Sequence, residues 1–150
     1  MRRANSWGGL LLLIGVSIAS GVCASPPPGE CPQPRYTDPA PDEYQQRKNP
    51  LAPDTDLRAA RRIYLGDGDA VSCAACHGEK GDGRGRMSAM FDPRPRNFAC
   101  AQTVKGIPDG QLFWIIRFGA PGGAAAMPPH PRLTDGQIWE LVLLLRGFAN

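Results

Sequence analysis

The chain of 150 residues lacks a large charge of either sign. Its 17 Lys and Arg residues stand against 14 Asp and Glu, a formal net charge of +3. Two of the basic residues, Arg2 and Arg3, lie in an N-terminal stretch with the pattern of an export signal. Without residues 1–24 the chain keeps 15 basic and 14 acidic residues, a net charge of +1. This balance argues against nucleic acid as a partner.

The sequence also lacks an apolar run long enough to cross a bilayer comfortably. The run at 7–22 has 16 residues, whereas a membrane-spanning helix needs about 20. The basic start, the apolar run and the small residues that follow predict a signal peptide over residues 1–24. The alternatives are a retained anchor and a lipid on Cys23, although the residues before Cys23 match a lipoprotein signal poorly. We therefore expect a periplasmic protein that meets the membrane only through one of these two anchors.

Alternation with period two is missing too, and so are internal repeats. Apolar residues instead recur at helical spacing in three stretches, near 54–66, 109–119 and 134–147. The third stretch opens with Thr134 and Gln137, the pattern of a capping box. These patterns predict an all-α domain over residues 54–150, with Asp54 as the cap of its first helix.

The segment before this domain has almost no aliphatic residues. Residues 26–53 contain nine prolines, and proline lacks an amide donor and fixes φ. We therefore predict an extended arm or linker over 25–53 without regular elements. Cys31, Tyr36 and Tyr44 are its candidate anchors.

One short motif carries a specific chemistry. Cys-Ala-Ala-Cys-His at residues 73–77 has the spacing by which two thiols bind haem c covalently while the adjacent His77 ligates the iron. A zinc site would need more ligands at finger spacing, and a thioredoxin-like pair would need a βαβ context. The long loops at 78–108 and 119–133 also favour a large apolar cofactor, because they carry too few aliphatic residues to close a core.

Residues 55–148 resemble the class I cytochrome c family. The matching pieces are 60–64, the haem motif with the His-Gly-x-x-Gly-x-Gly loop at 77–83, Ala-Met-Pro at 126–128, and Ile-Trp at 138–139. The resemblance implies a cytochrome c-like fold of three to four helices, with long loops wrapped around one covalently bound haem. It also implies that the first and last helices cross beside the haem and that a Met is the second axial ligand. Leu144 replaces a common helix-crossing aromatic residue, so we expect Trp139 to rebuild that contact.

Met127 is the candidate for that second ligand. It follows His77 by 50 residues, and Pro128 and Pro129 stiffen its loop. A His/Met pair suits electron transfer, although a Met can also simply fill a gap in a core. His130 is the rival ligand, since it would give a bis-His haem.

Other residues are candidates for the haem pocket. Arg96 and Asn97, together with Arg94, are expected to bind the haem propionates. Trp114 either donates its indole N–H to a propionate or fills the core, and Phe98 and Ile115 wall the ring. One further set, a basic cluster that could steer an acidic redox partner to a haem rim, consists of Lys80, Arg84, Arg86, Arg94, Arg96 and Lys105.

Two cysteines lie outside the haem motif. In an oxidising compartment Cys31 and Cys100 are expected to form a disulfide that joins the proline-rich arm to the domain. This pairing is a hypothesis, because sequence does not give their separation.

The residues lack a Ser-His-Asp set and a paired-carboxylate site, so nothing in them indicates a small-molecule substrate or a catalytic residue. The leading interpretation is an exported electron carrier that works between redox partner proteins. Two alternatives stay open. One is a haem enzyme or gas sensor with an open distal site, and the other is a cytochrome subunit of a larger periplasmic dehydrogenase or oxidase complex.

Overall fold

The structure is a computed structural model that describes residues 30–66, 72–120 and 126–149. The predicted signal peptide over 1–24, including Cys23, lies outside the described residues. Within the described residues, no helix is long and apolar enough to span a lipid bilayer.

The regular structure of the described residues is helical, and no strand occurs among them. The elements are α1 (Asp42–Gln45), α2 (Arg58–Leu65), α3 (Cys73–His77), a 3₁₀ turn (Ser88–Met90), α4 (Ala101–Lys105), α5 (Asp109–Phe118) and α6 (Asp135–Gly147). The predicted all-α fold is confirmed. The helices outnumber the expected three to four because α1, α3 and α4 have four or five residues each, too few to produce a helical period in sequence.

The three longer helices begin and end close to their predicted bounds. In α6 the capping box is present, with the Thr134 side chain accepting from the Gln137 amide. Helix α2 starts later than expected, at Arg58, and Asp54 does not cap it. Asp56 takes this role in part, since its Oδ1 accepts a hydrogen bond of 3.0 Å from the Arg58 amide. Gly66 ends α2 in the left-handed conformation, with φ of 84°.

Helix α6 forms the centre of the core and packs against both α2 and α5. Ile138, Leu141 and Val142 of α6 are each at most 2 % exposed. The expected crossing of the first and last long helices is thus present. Its aromatic contact, however, joins Tyr64 to Phe148, with ring centroids 5.1 Å apart.

Trp139 does not supply the helix-crossing contact that we expected of it. Its ring packs instead on Phe113 of α5, with centroids 4.5 Å apart. The two aromatic contacts, one towards α5 near the start of α6 and one towards α2 just after its end, are therefore about two and a half helical turns apart.

The proline-rich arm, described from residue 30 to residue 53, lies against the helical core. The expectation that it holds no regular element was wrong, because α1 follows directly on Pro41, whose carbonyl accepts from the Tyr44 and Gln45 amides. Proline is compatible with a helix start, where an amide donor has no partner within the helix.

Glycine at position 110 allows the arm to approach α5 at backbone distance. The Gly110 amide donates to the Arg47 carbonyl at 3.0 Å, and a Cβ at this position would collide with the Tyr44 carbonyl. Farther along, Asn49 Nδ2 donates to the Trp139 carbonyl at 2.8 Å. The arm is therefore a packed layer over α5 and α6 along the described residues.

Candidate functional site

A large cavity lies between α3, the inner faces of α5 and α6, the loop at 126–130, and the arm. It has a volume of about 160 Å³ and is partly open to solvent. Protein cores normally contain few voids larger than a water molecule. A cavity of this size in so small a helical domain therefore indicates a binding site.

Helix α3 places the two thiols of the motif on one wall. Ser72 caps this short helix by accepting a hydrogen bond from the Ala75 amide, which fixes the first turn. Cys73 and Cys76 both line the cavity, and neither takes part in a disulfide. Burial raises the pKa of the Cys73 thiol to about 11 and raises that of Cys76 as well. Both thiols are thus protonated at neutral pH.

His77 ends the same helix, and one hydrogen bond fixes its ring. Nδ1 lies 3.1 Å from the Arg96 carbonyl oxygen, which can only accept, so Nδ1 carries the proton. The Phe98 ring packs on the imidazole with centroids 4.8 Å apart. Burial lowers the pKa of His77 to about 4. The ring is therefore neutral at physiological pH, with the Nε2 lone pair left for a metal.

Met127 and His130 both reach the cavity from the loop that precedes α6. The loop is joined to the end of α5, where the Ala120 amide donates to the Met127 carbonyl at 3.0 Å and the His130 amide donates to the Ile116 carbonyl at 3.1 Å. Gly119 makes this approach feasible, because it has φ of 78° and a Cβ there would lie 2.6 Å from the Met127 carbonyl oxygen. The geometry brings both candidate distal ligands to one cavity.

The remaining predicted pocket residues divide into two groups. Phe98, Ile115 and Arg96 line the cavity together with the motif. Asn97 is not among the lining residues: it is 5 % exposed, and its amide donates to Gln33 Oε1 at 2.6 Å. The prediction for Asn97 did not foresee the arm, which accepts hydrogen bonds from the backbone N–H and the Nδ2 of this residue.

Trp114 also lies away from the cavity as the described residues form it. Its side chain is partly exposed and neighbours the Phe118 ring at a centroid distance of 6.0 Å. The α5 residues that line the cavity are Gln111, Leu112, Ile115 and Ile116. The helical pattern of apolar residues in this stretch did not show whether the Trp114 ring would line the cavity or lie partly exposed outside it.

Many residues at the cavity were not predicted as pocket residues, among them three that lie where the arm meets α5. Tyr36 and Thr37 come from the arm, and Gln111 comes from α5. Gln111 is 1 % exposed, and its Oε1 accepts from the Ala40 amide at 2.6 Å. A buried glutamine in an apolar helix was the available signal, because such a side chain needs polar partners from elsewhere in the fold.

The donor set and charge of the cavity fit haem. Its described lining contains two thiols, two imidazoles and a thioether, but no Asp or Glu. Arg94 and Arg96 are the permanently charged groups in that lining, which suits an apolar macrocycle that carries carboxylates. The described residues contain no cluster of three or more His, Cys, Asp or Glu side chains that could hold a bare metal ion.

Helices packed around an apolar cavity that carries Cys-x-x-Cys-His define a c-type cytochrome domain. The model of the family described as cytochrome c oxidase, cbb3-type, subunit III matches residues 55–145. The chain belongs to this family of monohaem c-type cytochromes, and the resemblance to class I cytochrome c is confirmed. No match was found among curated protein sequences.

A solved structure has a similar fold. It is a chain of the reducing HAO-like protein complex of Kuenenia stuttgartiensis, 23% identical, with a TM-score of 0.54 over 67% of this chain and 47% of that chain. This chain therefore spans less than half the length of that relative, and the likeness supports the fold alone.

Proposed function

We propose that the protein is an exported c-type cytochrome that carries single electrons between redox partner proteins. One haem would be attached covalently through Cys73 and Cys76. The observation that carries this proposal is the convergence of the two thiols, His77 and Met127 on one apolar cavity. When bound, the haem supplies an Fe(III)/Fe(II) couple that gains and loses one electron.

The chain's own residues account for a site that changes little on electron transfer. The Arg96 carbonyl holds the His77 ring through Nδ1 at 3.1 Å, so that Nε2 would be available to bind the haem iron. Met127 would supply a soft thioether ligand to the same iron. The surrounding apolar side chains exclude water and lower the local dielectric.

Met127 and His130 are tested against each other by the variants Met127→Ala and His130→Ala. We expect the native Fe(III) protein to have the far-red methionine-to-iron band and the reduced protein not to bind carbon monoxide. Met127→Ala should abolish the band and admit carbon monoxide, whereas His130→Ala should keep both native properties. A band that survives Met127→Ala would remove the His/Met assignment.

An open distal site is the alternative from a different functional class, a haem enzyme or gas sensor. The same measurement separates it from the electron carrier, because rapid carbon monoxide binding by the native reduced protein requires a vacant or weakly held axial position. Such binding would contradict the electron-carrier proposal and favour the haem enzyme or gas sensor.

We also propose that the protein works as a subunit of a larger oxidoreductase complex. The description of its family as an oxidase subunit supports this. Purification of the native protein under mild conditions should then give a complex with at least one other redox protein. Elution as a lone monomer after every mild extraction would contradict the subunit proposal and favour a free electron carrier.

The partner would dock at basic residues beside the haem motif. Lys80, Arg84 and Arg86 are exposed, and the charge of Arg86 acts on the Cys76 thiol by lowering its pKa against the larger effect of burial. Arg86→Gln should slow electron transfer to the partner and weaken its dependence on salt. Arg58→Gln, which removes an exposed arginine paired with Asp56, should leave both unchanged. Equal effects of the two variants would argue against this docking surface.

Export and the arm disulfide belong to the same proposal. The Cα atoms of Cys31 and Cys100 lie 5.5 Å apart, a separation typical of disulfides, which supports the proposed pairing. The protein recovered from the periplasm should begin near Ser25 and contain no free thiol once haem is attached. An intact N-terminus at Met1, or two titratable thiols in the denatured holoprotein, would contradict these two statements respectively.

A further inference from the structure

The arm reaches the cofactor cavity at the end that carries the arginines. Arg96 Nη1 donates to the carbonyls of Gln33 and Pro34 at 3.3 and 2.8 Å, and Gln33 Nε2 donates to the Pro95 carbonyl at 3.3 Å. These bonds hold the arm alongside the segment 94–97. Tyr36 and Thr37, which follow Arg35 in the arm, line the cavity.

A second attachment fixes the other side of these two residues. Gln111 Oε1 accepts from Arg35 Nη2 at 2.7 Å, and its Nε2 donates to the Asp38 carbonyl at 3.1 Å. Gln111 also lines the cavity. Tyr36 and Thr37 are therefore held between Arg96 and Gln111, and the arm forms one wall of the cavity.

The polar groups at this wall differ in what they already bind. Arg96 is engaged with arm carbonyls, and Asn97 Nδ2 donates to the Glu30 carbonyl at 3.3 Å. By contrast, the Tyr36 and Thr37 hydroxyls and the Arg94 guanidinium form no hydrogen bond or ion pair with any residue in the described ranges. Three donors that face a single cavity thus keep their hydrogen-bonding capacity.

Charge at this wall selects the kind of ligand group. Burial lowers the pKa of Arg96, Arg35 lowers it further and Tyr36 raises it, so Arg35, Tyr36 and Arg96 lie within electrostatic reach of one another. Since no Asp or Glu lines the described cavity, its arginines have no carboxylate partner there. An unpaired cation and two hydroxyl donors suit a carboxylate, which accepts several hydrogen bonds at once.

We propose that Tyr36, Thr37 and Arg94 bind the haem propionates, in place of the Arg96 and Asn97 pair that the sequence suggested. This inference rests on the proposed function, since it needs haem in the cavity. Arg96 and Gln111 are positioning residues here, because they hold the arm on which Tyr36 and Thr37 lie.

The test compares the two tyrosines of the arm in the purified holoprotein. Tyr36→Phe and Thr37→Val each remove a proposed donor. Tyr44→Phe is the matched control, because the Tyr44 ring packs on Phe113 and Phe118 and does not line the cavity. Resonance Raman spectroscopy of the propionate bending bands reports on hydrogen bonding to the carboxylates. Tyr36→Phe and Thr37→Val should shift these bands, and Tyr44→Phe should leave them in place.

Arg94 is tested by a second readout. Arg94→Gln removes a positive charge close to the haem, which should lower the midpoint potential because a nearby cation favours Fe(II) over Fe(III). Arg58→Gln, far from the cavity lining, should not change it. If Tyr36→Phe does not fold, Thr37→Val and Arg94→Gln test the same carboxylate site.

Two outcomes are distinguished by a pyridine haemochrome spectrum of each protein. Unshifted propionate bands in Tyr36→Phe and Thr37→Val, with haem c present, would overturn the arm's role and leave the proposed function intact. Absence of covalent haem from the native protein would overturn both.

Discussion

The helical layer and the arm enclose the same cavity but are held by different forces. Helices α2, α5 and α6 meet through apolar side chains, of which Phe113, Leu141 and Val142 are at most 2 % exposed. The described part of the arm has one buried apolar side chain, Ala40. Besides the partly buried Tyr44 and Leu51, which pack on the core, the arm is held by side-chain hydrogen bonds to residues 60 or more positions away, as in the Asn49 and Gln111 contacts.

The helical layer therefore provides most of the stability of the domain, whereas the arm shapes one wall of the site. Apolar burial contributes with little dependence on exact geometry, so the helical layer tolerates local adjustment. A buried polar contact loses its value once one partner moves, so the arm has one well-defined position. The apolar wall would hold the haem ring, and the polar wall would hold its charged edge.

The largest expected loss of stability comes from a substitution in the core of the helical layer. Phe113→Ala removes a ring that contacts Trp139 at 4.5 Å and Tyr44 at 6.2 Å. It should lower the free energy of unfolding by about 4 kcal/mol, as large-to-small core changes do. Denaturant unfolding of the holoprotein measures this. A loss below about 1 kcal/mol would mean that the ring is not part of the core.

The next effect concerns the arm alone. Cys31→Ser should cost about 3 kcal/mol, because the proposed disulfide with Cys100 would close a long loop and restrict the unfolded chain, the two cysteines being 69 residues apart. Native-state hydrogen exchange should then show faster exchange at the Ala40 and Gly110 amides, while amides within α6 stay protected. Uniform loss of protection over both layers would contradict the separation of the two walls.

Substitutions at two glycines test the contact between the arm and α5. Gly110→Ala places a methyl group against the Tyr44 carbonyl and should destabilise by about 2 kcal/mol, since backbone must shift to admit it. Gly147→Ala is the matched control at the end of α6, where nothing lies within 4 Å of the new Cβ. It should be neutral or stabilise by up to about 1 kcal/mol, because alanine favours the helix. Similar results for the two variants would mean that the arm is not seated on α5.

The smallest expected effect lies where α2 meets the haem motif. Tyr64→Phe removes a buried hydroxyl that donates to the Gly78 carbonyl at 2.7 Å and should cost about 1 kcal/mol. Its Soret spectrum should stay native, because the hydroxyl touches the turn after His77 and neither thiol is displaced. Ile63→Val is the control, because it also removes one heavy atom from a side chain of α2.

Local signals explain what the sequence predicted well. Three features were predicted well: the capping box at Thr134 and Gln137, the apolar period of α6 and the Cys-x-x-Cys-His motif. In each of them the interacting residues are close together in sequence. They therefore carry their own structural consequences. Phe98, Ile115 and Met127 were predicted at the site, and all three line the cavity.

The arm could not be predicted in the same way. Its proline content indicates the absence of long regular elements, but its position depends on partners such as Gln111 and Arg96, which are distant in sequence. Consequently Tyr36 and Thr37 were missed as cavity residues, and Asn97, which contacts the arm, was assigned to the pocket. Single-turn helices such as α1 were missed because they are shorter than one hydrophobic period.

Covalent haem at Cys73 and Cys76 is the property on which the proposed function depends most directly. The decisive measurement is the mass and pyridine haemochrome spectrum of the denatured native protein, beside a variant with both cysteines changed to Ala. We predict one haem per native chain that resists acid extraction, and none attached to the variant. A native chain with the mass of the bare polypeptide and free thiols at both positions would contradict the account.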